Sequence, residues 1–350
     1  MLGMKVVYVI LDPLKSARVR KIAYSIKKCS SVVEFHVMLP KIRLVWRGGM
    51  ISRLFAGLIN YLTVILQIMF IRADVFWVAN CPDILALPIA LKRGRYILDY
   101  RSPWSLQIKQ EFGSGPLARL SAIIESMALK YAEVITLTTS KLVMKVKEYG
   151  KPILAIPNYP TKTFRVTVSR KEFRKKHNIE RDEKVVLFVG RLSRVEGADM
   201  LFDVATKVWK TIDVVFWIVG DGPLYPLLER SGKKFSRRFK LWRWLPHSAI
   251  PNFINAADVC IVPRHKTPYS FIYNEEGVTK ISEYMFFEKP IVACGIAESD
   301  QYLLVDEKKI AEGITNALKG GVSSSTRKTW EDYSENKICS ILSLIQSDRI

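Results

Sequence analysis

Asn274-Glu275-Glu276-Gly277-Val278-Thr279-Lys280-Ile281-Ser282-Glu283-Tyr284-Met285, followed by Lys289-Pro290-Ile291-Val292-Ala293, reads as a short glycine-containing turn that opens a helix and runs on into a β-rich segment. A helix handed on to a strand is the unit of a doubly wound α/β layer. The stretch also sets two carboxylates, Glu275 and Glu283, eight positions apart across the turn. A helix N-terminus presents backbone N–H groups and the positive end of the helix dipole to a phosphate. A carboxylate about one turn further on can accept both hydroxyls of a ribose, and one held ahead of the turn faces what lies beyond the phosphates. That geometry suits a nucleotide sugar.

Outward from this stretch the alternation continues. Strands are expected at 184–190, 214–220, 241–244, 259–263 and 290–294, with a charged helix at 171–177 before them. The first half reads the same way, with strands at 5–11, 32–39, 75–78, 96–100, 134–138 and 153–156. Helices are expected between them near 16–28, 52–71, 84–91, 117–131 and 140–149. Pro157-Asn158-Tyr159-Pro160 breaks the pattern. A chain of 350 residues exceeds the size at which single cores usually stop growing, so two α/β domains are expected.

The opening stretch resembles the E-x7-E signature of the retaining glycosyltransferases of family 4. Three further segments fit that family in the same order: Val185-Val186-Leu187-Phe188-Val189-Gly190-Arg191-Leu192, Phe216-Trp217-Ile218-Val219-Gly220-Asp221-Gly222-Pro223, and Asn255-Ala256-Ala257-Asp258-Val259-Cys260-Ile261-Val262-Pro263. Each is weak alone, and four in register make chance a poor explanation. The resemblance implies the GT-B fold, two Rossmann-like doubly wound domains facing a central cleft. It implies an acceptor domain at 1–158, a nucleotide-sugar donor domain at 159–325, and a last helix within 326–350 that crosses back to the first domain.

The same resemblance assigns roles. Glu283 accepts the ribose hydroxyls, and Glu275 faces the donor sugar, with Glu276 beside it able to substitute. Gly277, Val278 and Thr279 form the helix start that meets the phosphates, while Gly190 and Arg191 grip the diphosphate at a strand end, where ligands of open α/β sheets bind. Trp244 and Leu245 follow a strand where family members seat the base; His247, next in that loop, reads as an ordinary loop histidine. Lys280 either neutralises a phosphate or is a solvated lysine at a helix start. Asp221, Gly222 and Pro223 read as a capped turn that shapes the crevice.

Two departures from the family stand out. Where it usually has a lysine before a glycine as a second diphosphate contact, this chain has Glu196 before Gly197, and a carboxylate there would repel the leaving group. Arg194, two residues away, is the candidate replacement. In the first domain many members have a histidine that contacts the donor sugar. None of His36, His177, His247 and His265 belongs to that loop, which leaves Asp99 and Arg101 as candidates.

Composition bounds the rest. Five cysteines without a C-x-x-C pair read as buried thiols of a reducing compartment, neither a disulfide frame nor a zinc site. The formal charge of +21 favours an anionic partner. Nucleic acid is set aside because no recognised motif organises the dispersed basic residues. The remaining candidates are phosphorylated small molecules and an anionic membrane surface, and a lipid-linked or glycan acceptor follows from the second. Lys41, Arg43, Trp46, Arg47 and Arg53 interleave cations with apolar residues just before 54–71, a run without charge. That run reads as a core or interfacial helix, with a membrane span as the alternative. The segment 4–10 is strand-like with no cleavage-site pattern after it, so no signal peptide is expected and the location is cytoplasmic, at the inner face of the membrane. No Asp-x-Asp metal motif is present; no metal and no cofactor other than the nucleoside-diphosphate sugar as co-substrate are expected. The rival readings are a non-catalytic partner subunit and a nucleotide-sugar epimerase of GT-B type.

Overall fold

A computed structural model describes residues 2–10, 17–34, 59, 62–80, 82–320 and 327–347. The basic and aromatic residues at 41–53, Cys81 and much of the apolar run at 54–71 lie outside the described residues. The chain divides into two compact units, one of residues Met1–Pro157 with Asp332–Ile350 and the other of Asn158–Glu331.

The second unit is a six-stranded sheet ordered β12-β11-β10-β7-β8-β9, all parallel. Its strands are β7 (Lys184–Val189), β8 (Val214–Val219), β9 (Phe239–Trp242), β10 (Val259–Pro263), β11 (Ile291–Cys294) and β12 (Leu303–Leu304). Helices cover both faces, so the strands are unbroken apolar runs whose alternate residues serve two cores. Val185, Leu187, Val215 and Trp217 pack with Ile281 and Tyr284 on one side. Val186, Phe188, Phe216 and Ile218 pack with Leu201 and Ile314 on the other. Each such side chain is worth about 1.5–3 kcal/mol of burial. Asp258 locks β10 to β7 by accepting from Val185 N at 2.8 Å and pairing with Arg170 and Arg174.

The first unit has its own parallel six-stranded sheet, ordered β2-β1-β3-β4-β5-β6. Its strands are β1 (Leu2–Val9), β2 (Ser30–Glu34), β3 (Val75–Ala79), β4 (Tyr96–Tyr100), β5 (Val134–Leu137) and β6 (Ile153–Ala155). Helix Asn336–Ser347 buries Ile338, Ile341, Leu342 and Ile345 in this unit. Lys337 Nζ donates to Ala155 O at 2.9 Å and Arg95 Nη2 to Ile345 O at 2.9 Å. The helix expected at 140–149 is instead three short turns, Ser140–Leu142, Val143–Val146 and Lys147–Tyr149. Residues 62–70 are helical, and among the described residues no helix is long and apolar enough to cross a membrane.

The cysteine reading needs correction. Cys29, at the end of helix Ala17–Cys29, forms a disulfide with Cys339 in helix Asn336–Ser347, while Cys260 and Cys294 are buried free thiols. Spacing along the chain could not reveal a pair 310 positions apart that meets only once both helices dock.

Closing so long a loop restricts the unfolded chain, so reduction should lower stability by about 2–4 kcal/mol. The check is thermal unfolding with and without reductant. Cys339→Ala should reproduce the loss and show no further response to reductant.

Candidate active site

A cavity of about 480 Å³ lies beyond the carboxyl ends of β7 and β8, beside Arg264, which follows β10. The sheet order runs outward from β7 in both directions, so this is the point where the winding reverses and where open α/β sheets hold ligands. Helix Thr279–Phe286 points its N-terminus at the same space, with no side chain capping it, and Gly277, Val278, Thr279 and Lys280 form that wall. Tyr284, one turn along, fixes the helix to the sheet by accepting from Val189 N at 2.9 Å. Asn158 braces the turn from behind: its N–H donates to Glu276 O at 2.7 Å and its side chain to Gly277 O.

Three charged side chains meet at the inner wall. Glu196 accepts from Lys280 Nζ at 2.7 Å through one carboxylate oxygen and from Arg264 Nη1 at 2.6 Å through the other. Arg264 also lies over the Tyr273 ring at 4.1 Å, and Lys280 over Phe188 at 4.3 Å. Two glycines make this approach feasible. Gly197, at φ +70°, follows Glu196 so closely packed on the end of β10 that a Cβ would fall 1.2 Å from Pro263 O. A Cβ on Gly190 would lie 2.6 Å from Lys280 Nζ.

Burial alone would raise the Glu196 carboxyl, but Lys280 and then Arg264 outweigh it and hold it down at about 2. Lys280 is shifted the other way. Burial lowers its pKa by more than Glu196 restores, and Arg264 adds to the lowering. The cluster itself holds two cations against one carboxylate, with Glu283 a weaker influence on Lys280, and an anion entering the cavity would favour the charged ammonium.

The outer part of the cavity differs. Arg191 is exposed there, and Trp244 and Leu245 flank it, with Trp244 largely exposed. Glu283 is buried and meets His247 Nε2 at 2.7 Å, while the His247 ring stacks on Phe164 at 4.8 Å. The histidine read as an ordinary loop residue thus covers the carboxylate expected to hold a ribose.

Of the residues expected from sequence, Gly190, Arg191, Trp244, Leu245, Lys280 and Glu283 line one cavity with the helix start at 277–279. Arg194 does not line it; its side chain is 85% exposed and turns to Asp199, whereas Arg264 lines the cavity and pairs with Glu196. Glu196 was expected to repel a phosphate, yet both its oxygens are engaged by cations. Arg264 carried a signal like that of Arg191, an arginine at the carboxyl end of a strand of the same sheet. Glu275 and Glu276 stand on the preceding turn outside the lining, and Glu275 Oε2 is buried with no hydrogen-bond partner. Buried polar atoms are normally satisfied, so this oxygen stands out on the turn beside the cavity.

Asp99 and Arg101 belong to the first unit. Asp99 is completely buried and accepts from Arg18 Nε and Nη2, Arg101 Nε and Thr136 Oγ1. Burial opposes its ionisation, but Arg18 and Arg101 hold its pKa below the ordinary value. Asp99 braces the end of β4, because Arg18 also donates to Ile156 O at 2.6 Å, and it has no surface to offer a sugar.

Residues 183–320 match the family model described as glycosyl transferases group 1, a segment that contains every residue lining the cavity. TuaC of Bacillus subtilis (strain 168), named as a teichuronic acid biosynthesis glycosyltransferase, is 24% identical over 156 residues, which cover 42% of this chain and 36% of that protein. The match spans about a third of the length of that curated relative. The sucrose-phosphate synthase from Thermosynechococcus elongatus superposes with a TM-score of 0.70 at 14% identity, covering 98% of both chains. Anabaena Alr3699/HepE in complex with UDP gives 0.68 at 14% identity, covering 99% of this chain and 100% of that one. What these structures share with this chain is the fold, GT-B.

Glu196→Gln would leave Lys280 without its carboxylate and should destabilise the second unit by roughly 3 kcal/mol near neutral pH. The wild type has a contribution present above the ordinary carboxyl value of 4.5 that is lost as pH falls toward about 2; the variant lacks it. Denaturant unfolding across that range checks both. Pyrophosphate should shift the variant's thermal midpoint more than the wild type's.

Proposed function

We propose that this chain transfers a sugar from a nucleoside-diphosphate sugar to a hydroxyl acceptor. The observation that carries the reading is the Lys280–Glu196–Arg264 cluster, two cations on one carboxylate, beside an uncapped helix N-terminus, in the segment that matches the glycosyltransferase model. A diphosphate seated there meets Lys280, Arg264 and the helix start together, with Arg191 at the mouth. Trp244 and Leu245 then flank the base, and Glu283 takes the ribose hydroxyls once His247 swings aside. Glu275, with its unpartnered buried oxygen, faces the sugar.

In the reaction, the acceptor hydroxyl oxygen bonds to the anomeric carbon as the bond from that carbon to the diphosphate oxygen breaks. The electron pair stays with the diphosphate, and the acceptor proton passes to a phosphate oxygen. Charge grows on the leaving group while the sugar becomes oxocarbenium-like. Lys280, Arg264 and Arg191 stabilise that growing charge, so the reading assigns the leaving group to the protein's own cations and not to a metal. Attack from the face the diphosphate leaves retains the anomeric configuration, as the E-x7-E resemblance implies. A lipid-linked or otherwise membrane-bound glycan is the acceptor class that the cationic surface favours, with the protein held peripherally at the inner face of the membrane.

A non-catalytic partner subunit keeps the cavity without turnover, and a nucleotide-sugar epimerase isomerises donor without transfer. Thermal unfolding without added metal against UDP, GDP, ADP, CMP and dTDP should show a dose-dependent shift for one nucleotide, lost in Glu283→Ala. Incubation with the matching nucleotide sugar and acceptor should then release nucleoside diphosphate. No shift at millimolar ligand sinks the donor site; a shift without release favours the partner subunit.

A further inference from the structure

The first unit carries an apolar surface that neither sheet uses. Helix Pro116–Tyr131 turns Ile124, Ala128 and Leu129 into the core, yet Leu117, Leu120, Ile123, Met127 and Tyr131 stand exposed along its outer side. Their spacing of three and four residues puts them on one stripe. Phe112, closing the preceding helix Trp104–Phe112, is 60% exposed. Arg119 and Lys130 stand exposed on this helix. Its one carboxylate, Glu125, is turned inward, where it accepts from Tyr100 Oη and Ser105 N.

A second stripe lies close by. The helix at 62–70 has no charged residue and exposes Leu62, Leu66, Met69 and Phe70, the last at 85%. Lys92 Nζ donates to Ile68 O at 2.6 Å and so joins this helix to the neighbouring Leu91, itself 74% exposed. Leu91, Met127 and Tyr131 in turn line one depression of about 650 Å³ together with Arg93, Arg95, Lys151 and Glu133. Leu91 and the outer side of helix Pro116–Tyr131 thus share a recess that also holds Arg93, Lys151 and the paired Arg95 and Glu133.

Scattered exposed hydrophobics are ordinary, but five in one stripe along a single helix, with four more exposed on the helix at 62–70, are not. A second copy of the chain is a poor occupant, because each face would bring its cations against those of the other on a chain of net charge +21. An acidic lipid layer satisfies both features at once, taking apolar side chains into the acyl boundary and cations against phosphates. We infer that this face of the first unit docks on an anionic lipid surface, with helix Pro116–Tyr131 lying along it. The inference deepens the peripheral membrane reading above by naming the surface, and it stands on these exposed faces whatever the donor cavity binds.

The test is co-sedimentation of the intact chain with vesicles of phosphatidylcholine alone and of phosphatidylcholine with phosphatidylglycerol, at low and high salt. Binding should be about tenfold stronger to the anionic vesicles and weaken with salt. Leu120→Asp with Ile123→Asp should lose about tenfold in binding, and Arg119→Gln with Lys130→Gln should lose binding and flatten the salt dependence. The thermal midpoint and its shift by pyrophosphate should be unchanged in both, which separates loss of docking from loss of fold or of the donor site. Equal binding to both vesicles, no binding to either, or unaltered binding by the Asp variants would overturn the inference. So would a wild-type dimer, seen by light scattering, that the Asp variants convert to monomer.

Discussion

The carboxylate of Glu196, shared between Lys280 and Arg264, is the contact on which the rest of the site depends. Its two partners, at a helix start and a strand end, lie 84 and 68 positions further along the chain, and neither cation could sit so deeply without it. One carboxylate faces two cations here, and Lys280 is depressed chiefly by its burial, with Arg264 adding to the lowering. On the proposed reading, such a site binds a diphosphate, stabilises its departure and then releases it.

Backbone geometry serves the same arrangement. Gly197 and Gly190 are the positions where a side chain would collide with the end of β10 and with the Lys280 ammonium, so they set how near the charged groups come. Tyr284 and Asn158 hold the signature helix and the turn before it from either side. The first unit shows the equivalent logic in a structural role. Arg18 and Asp99 form a buried pair that ties helix Ala17–Cys29 to the ends of β4 and β6, and the disulfide fixes the same helix to the last one.

The two parallel sheets were legible in the sequence because strands buried on both faces appear as apolar runs closed by glycine or proline, as at 184–190 and 259–263. The signature helix and most of the cavity wall were legible for a related reason, since they sit at strand ends that can be located along the chain. What escaped was pairing across distance. Arg264 had the signal of a strand-end arginine, but its partnership with Glu196 depends on Gly197 closing on Pro263 O. Asp99 looked like a crevice acid until Arg18, 81 positions earlier, covered it. Cys29 and Cys339 looked like separate thiols until two helices docked. In each case the local sequence is unremarkable and the tertiary contact decides the chemistry.

The central claim, that the Glu196 cluster is a diphosphate seat, is tested most directly by calorimetric titration with one nucleoside and its diphosphate, on the wild type and on Arg264→Met. The account predicts that the preference for the diphosphate falls by roughly tenfold or more in the variant, as loss of one charge-assisted contact implies, while affinity for the nucleoside is unchanged. An unchanged preference would contradict it and move the phosphates elsewhere in the cavity.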